Sequence, residues 1–110
     1  MPAPAPNDRL AGLVAALGRD DARELVALFL DGFAPLVAEI ASGDHVRAER
    51  AAHSLKSSSH QMGLPGLARE FAALEEKLGR PGGKVTQAEI ESLKAGYALA
   101  EGPLREFAGK

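Results

Sequence analysis

The sequence predicts an all-α domain: an up-down-up-down four-helix bundle with a short additional helix at its N-terminus. Three observations carry that prediction. Apolar residues recur at spacings of three and four in five separate segments, with no alternating strand pattern between them. Apolar residues make up 45% of the 110, mostly Ala and Leu with one Tyr and no Trp, which favours helix over sheet. Glycines, prolines and capping residues fall between the segments as stop and start signals.

Each element follows from its residues. Asn7 can cap a short first helix whose apolar positions are Leu10, Leu13, Val14 and Leu17, with Gly18 as its stop. Asp20 can cap a longer second helix carrying Leu25, Leu28, Phe29, Phe33, Leu36, Val37 and Ile40 on one broad stripe. Gly32 and Pro35 lie inside it, and the proline predicts a bend. Gly43 then ends that helix and Asp44 caps a third. Gly63 closes the third helix, and Pro65 suits the first turn of a fourth, with a seam of Leu67, Phe71, Leu74 and Leu78. Arg80-Pro81-Gly82-Gly83 reads as a loop. Thr86 and Glu89 have the spacing of a capping box opening a fifth helix, seamed by Ile90, Leu93, Tyr97, Ala100 and Leu104. Gly102-Pro103 predicts a kink or interruption near its end. The Pro-Ala lead over residues 1–6 is expected to be disordered, and residues 7–110 to form a single domain.

Composition excludes several classes of function. A chain of 110 residues buries about two-thirds of the surface its unfolded form exposes. Thirteen basic and fifteen acidic side chains give a net charge of −2, without the basic stripe of a nucleic-acid binder. There is no cysteine, so disulfide and thiolate chemistry are absent and a cytoplasmic address is permitted. No apolar run approaches the ~20 residues of a membrane span, and the opening residues do not read as a signal peptide. Neither a glycine-rich phosphate loop nor an acidic cluster suited to Mg²⁺ is present, so ATP-dependent self-phosphorylation is not expected.

The chemistry concentrates in Ala52 to Gly63, on the third helix. On the helical wheel Leu55, Met62 and either Ser58 or Ser59 share one face, extended by Ala48 and Ala51. His53 lies about 200° from Leu55, on the outer face with Glu49, Lys56, Ser57 and His60. An exposed imidazole is a nucleophile near neutral pH, a property few side chains share. Lys56 stands one turn on, with Cβ atoms about 5–6 Å apart, and Ser57 lies beside the imidazole at i+4, where a long side chain would obstruct an approaching partner.

These residues resemble the histidine-containing phosphotransfer (HPt) family, whose motif runs Ala-His-x-Leu-Lys-Gly-Ser-Ser, with a glycine closing the helix shortly afterwards. Ala52, His53, Leu55, Lys56, Ser58, Ser59 and Gly63 match it position by position. Ser57 departs from it, standing where the family has glycine. The resemblance implies that His53 carries a phosphoryl group on Nε2, received from an aspartyl phosphate on one response-regulator receiver domain and passed to another. It implies that Lys56 stabilises the phosphate charge and that Ser57 acts as the small residue beside the ring. The partners implied are receiver domains and a hybrid or sensor histidine kinase, with Mg²⁺ held by the receiver and no cofactor of the chain's own. A monomeric phosphoryl carrier, not an enzyme, is expected. In this family a polar residue on the following helix often orients the imidazole; Glu75 or Glu76 could do so.

Other readings stand beside this one. The same bundle serves as the phospho-accepting domain of a chemotaxis-type kinase, which needs an ATP-binding domain. A dimerising histidine-kinase helix pair would place a proline soon after its histidine, and none occurs before Pro65. A non-catalytic interaction module would bind receiver or kinase domains without phosphotransfer. His45 and His60 read as solvated or partner-contacting residues, Met62 as core filling, and Glu75-Glu76-Lys77 as a solvated face.

Overall fold

The computed structural model describes residues 3–110. Helix α1 spans Asp8–Leu17, α2 Arg19–Ile40, α3 His45–Gln61, α4 Pro65–Leu78 and α5 Gln87–Ala108, with no strand among the described residues. The last four form the bundle: α3 packs most extensively on α4 and next on α2, α2 reaches α5, and α5 meets α4. Helix α1 lies against α2. No helix among the described residues is long and apolar enough to cross a membrane. Residues 1–2 of the lead lie outside the described residues; Ala3–Pro6 carry no helix, and Ala5 packs against the core.

Most boundaries are set by the expected caps. The Asn7 side chain accepts from the Leu10 N–H, Asp44 from the Arg47 N–H, and Thr86 with Glu89 completes the capping box of α5. Pro65 occupies the first turn of α4. Asn7 also donates from Nδ2 to the Met62 carbonyl at 2.9 Å, tying the start of α1 to the end of α3. Gly63 sits at φ +75°, and a Cβ there would collide with the Asn7 amide, so the α3–α4 corner requires glycine.

Three expectations are corrected. Gly18, not Asp20, stands at the N-cap of α2: its N–H closes α1 on the Val14 carbonyl while its own carbonyl receives the Ala22 N–H. One residue serves both helices because φ +90° is open to glycine, which leaves Asp20 in the first turn, where the helix dipole favours it. The buried stripe of α2 runs through Ala22, Val26, Phe29, Leu30, Phe33, Val37 and Ile40, while Leu28 is 64% exposed. Helix α2 touches α1, α3 and α5, so its apolar face is wider than a single stripe and is rotated away from Leu28. Of the kink or interruption expected at Gly102-Pro103, the interruption does not occur: α5 runs through both residues, as α2 runs through Pro35 in the single helix expected there. Both prolines are exposed, so water can take the carbonyls that lose their helical donors.

The core joins all five helices. Phe33 of α2 stacks on Tyr97 of α5 with centroids 3.9 Å apart and meets Phe71 of α4 edge-on at 6.1 Å. On α3 the inward positions are Ala48, Ala51, Ala52, Leu55 and Ser59, which resolves the Ser58/Ser59 alternative in favour of Ser59. The Ser59 hydroxyl is fully buried with no hydrogen-bond partner among the described residues. Ser59→Ala removes that unsatisfied group and improves helix propensity. It is expected to raise stability by about 1 kcal/mol, as measured by urea unfolding.

Candidate functional site

The small inward side chains of α3 set the site. With Ala48, Ala51 and Ala52 against the core, α3 lies close to α4, and its opposite face carries His53 with 62% of the side chain exposed. Glu75 rises from α4 to meet it. Its Oε2 stands 2.6 Å from His53 Nδ1, and its Oε1 accepts from Lys56 Nζ, also at 2.6 Å. The three side chains form one bridge across the α3–α4 seam, with Glu75 the least exposed of them at 24%.

The choice left open between two glutamates therefore falls on Glu75, and its face is not merely solvated. The seam of α4 explains this. Glu75 lies roughly 70° from the centre of the Leu67–Phe71–Leu74–Leu78 stripe, whereas Glu76 lies about 170° away. A carboxylate at the edge of the seam faces the neighbouring helix; one opposite the seam faces water. Accordingly Glu76 pairs with Arg80, one turn on along its own helix, at 3.5 Å. Lys77, on the other edge, reaches Glu89 of α5 at 2.8 Å.

The electrostatics of the bridge run in one direction. Lys56, donating to Glu75, holds its carboxyl below the usual carboxylate range; partial burial opposes this, and the hydrogen bond with His53 adds to the lowering. An ionised Glu75 can only accept, so in the neutral tautomer that makes this hydrogen bond Nδ1 carries the proton and Nε2 the lone pair. Because folding lowers this pKa, the bridge stabilises the protein above the ordinary value of 4.5 and is lost as pH falls through the lower folded value. The stability difference between wild type and Glu75→Gln is therefore expected to hold from neutral pH to near 4.5 and to close below it, read by urea unfolding across pH.

The other candidates take no part in the Glu75 bridge. Ser57 is exposed and lines a hollow of about 510 Å³ between α1 and α3 with Asp8, Arg9 and His60, on a different flank from Glu75. His60 is exposed, its backbone carbonyl accepting from Arg9 at 3.3 Å, and His45 is exposed at the start of α3. Among the described residues no three metal-ligating side chains come together.

A family model described as the Hpt domain matches residues 7–102, from the cap of α1 into α5. The chain belongs to the Hpt domain family. Comparison with curated proteins and with solved structures gave no match. Hpt domains are phosphocarrier modules, and phosphotransfer within two-component phosphorelays is their general function. They interact with receiver domains and histidine kinases, so the exposed α3 face belongs to a module built for protein partners. The five helices and their bundle agree with this family.

Proposed function

We propose that this Hpt domain relays a phosphoryl group between aspartates of response-regulator receiver domains through His53. The observation that carries the proposal is the Glu75 bridge, which engages Nδ1 of an exposed His53; in the neutral ring this makes Nε2 the nitrogen that offers a lone pair. In the forward step the Nε2 lone pair attacks the phosphorus of the receiver's aspartyl phosphate. The N–P bond forms as the P–O bond to the aspartate breaks, and the carboxylate leaves with the electron pair. The proton stays on Nδ1, and the positive charge that develops on the ring faces the Glu75 carboxylate. Return of the phosphoryl group to a second aspartate is the reverse of this step.

The remaining roles follow from position. Lys56, one turn along, offers its ammonium to the phosphoryl oxygens. Ser57 keeps the approach to the ring unobstructed, as the glycine of the family does. Mg²⁺ and the acceptor aspartate belong to the receiver, and a hybrid or sensor histidine kinase supplies the phosphoryl group upstream. The protein acts as a cytoplasmic monomer that carries phosphate without autokinase activity.

The test is transfer of radiolabelled phosphate from a phosphorylated receiver domain to wild type and to His53→Gln. Acid-labile label on wild type alone, returnable to a second receiver, is the expected result. No label from a panel of receivers, with binding retained, would replace the relay by a non-catalytic interaction module.

A further inference from the structure

Lys56 is already committed. Its ammonium lies 2.6 Å from Glu75, which also holds the imidazole, so this cation is largely neutralised by the carboxylate. A phosphoryl group brings up to two negative charges to Nε2, and the site must meet them from elsewhere as well. The hollow in which His53 stands shows where. It measures about 320 Å³ and is lined by Val46, Glu49, Arg50, His53 and Glu75.

Among the described residues Arg50 is the single lysine or arginine in that lining. It is exposed, and among the described residues it makes no ion pair, whereas its neighbour Arg47 is bound to Glu39 at 3.0 Å. Arg50 precedes His53 by three residues, so the two side chains are neighbours on the helix surface. Helical side chains lean toward the N-terminus, which tilts the imidazole over the turn that carries Glu49 and Arg50. A guanidinium there presents a planar fork of donors suited to phosphate oxygens. The charged groups facing the hollow are thus Glu49 and Arg50 from α3 and Glu75 from α4, with Lys56 beyond Glu75.

We infer that Arg50 is a second phosphoryl-binding cation, receiving the oxygens of the phosphorylated His53 from the N-terminal side while Lys56 approaches from the other. This rests on His53 being the phosphorylated residue. With an acidic Glu49 beside it, Arg50 offsets a carboxylate that would otherwise repel the phosphoryl group.

The test uses the whole chain phosphorylated with phosphoramidate, a small donor that needs no partner. ³¹P NMR titration then reads the second ionisation of the phosphoryl group in wild type, Arg50→Gln and Arg47→Gln. A cation in contact favours the dianion, so Arg50→Gln is expected to raise the midpoint by roughly 0.5 pH unit, the effect of one charge about 6 Å away in water. Arg47→Gln is expected to leave it unchanged. Equal midpoints in wild type and Arg50→Gln, or equal rises in both variants, would overturn the inference, as would absence of phosphate from His53. Adding a receiver with Mg²⁺ afterwards tests the relay separately: a shifted midpoint with no onward transfer keeps Arg50 as a phosphoryl ligand and rejects the relay.

Discussion

Glu75→Ala is expected to slow phosphoryl transfer to His53 by roughly 10–100-fold, the range seen when groups that orient metal-bound histidines are removed, while the bundle remains folded. Without the carboxylate the ring can rotate, either nitrogen can carry the proton, and no negative charge faces the ring as it becomes positive. The loss also frees Lys56 from its 2.6 Å partner, which brings a mobile cation nearer the phosphoryl group. That gain does not restore the ring's orientation, so the net effect is a loss. Glu75→Gln keeps an oxygen that can accept from Nδ1 but carries no charge, and its rate is expected to fall between the two. Stability separates this from a folding defect: with the three side chains 24–62% exposed, the bridge contributes about 0–1 kcal/mol. Rapid-quench transfer rates beside thermal melts make the comparison, and an unchanged rate in Glu75→Ala would remove Glu75 from the site.

Phe71→Ala is expected to have the largest effect on the fold, costing about 3–5 kcal/mol. The ring is 0% exposed on α4 and meets Phe33 of α2 edge-on, linking helices that stand across the bundle. It precedes Glu75 by exactly one i-to-i+4 step, so the same helical turn that buries the ring presents the carboxylate to α3. Small domains have only about 5–15 kcal/mol in total, so the variant should unfold at much lower urea and lose transfer with its structure. Phe71→Leu keeps most of the apolar volume and is expected to retain both. A Phe71→Ala variant as stable as wild type would contradict the assigned core.

Much of the fold is legible in local chemistry. Asn7, Asp44, Pro65 and the Thr86–Glu89 box mark helix starts because caps act through the backbone within a single turn. What escapes is what depends on neighbours. Leu28 and Val26 are both apolar on α2, and only the placement of α1, α3 and α5 decides that Val26 is buried and Leu28 exposed. Ser58 and Ser59 differ by one step on the wheel, and the packing of α3 buries the second. Asp20 fails as a cap because α1 and α2 are separated by a single glycine, leaving no room for a longer turn.

The candidate site divides in the same way. The spacing of His53 and Lys56 on the outer face of α3 is written in the sequence. Their partner comes from another helix, and its identity depends on how α4 is rotated against α3. The angular position of Glu75 at the edge of the α4 seam held that information. Ser57, at i+4, stands beside His53 on the helix surface and also lines the hollow against α1, whereas His53 and Lys56 meet Glu75 of α4.

The decisive measurement is the ¹⁵N spectrum of the phosphorylated, ¹⁵N-histidine-labelled protein, with ³¹P coupling identifying the bonded nitrogen. A single phosphorylated site is expected, His53 Nε2, with Nδ1 protonated and held by Glu75. Phosphate on His53 Nδ1, on His45 or His60, or on a serine of the Ser57–Ser59 run would contradict it.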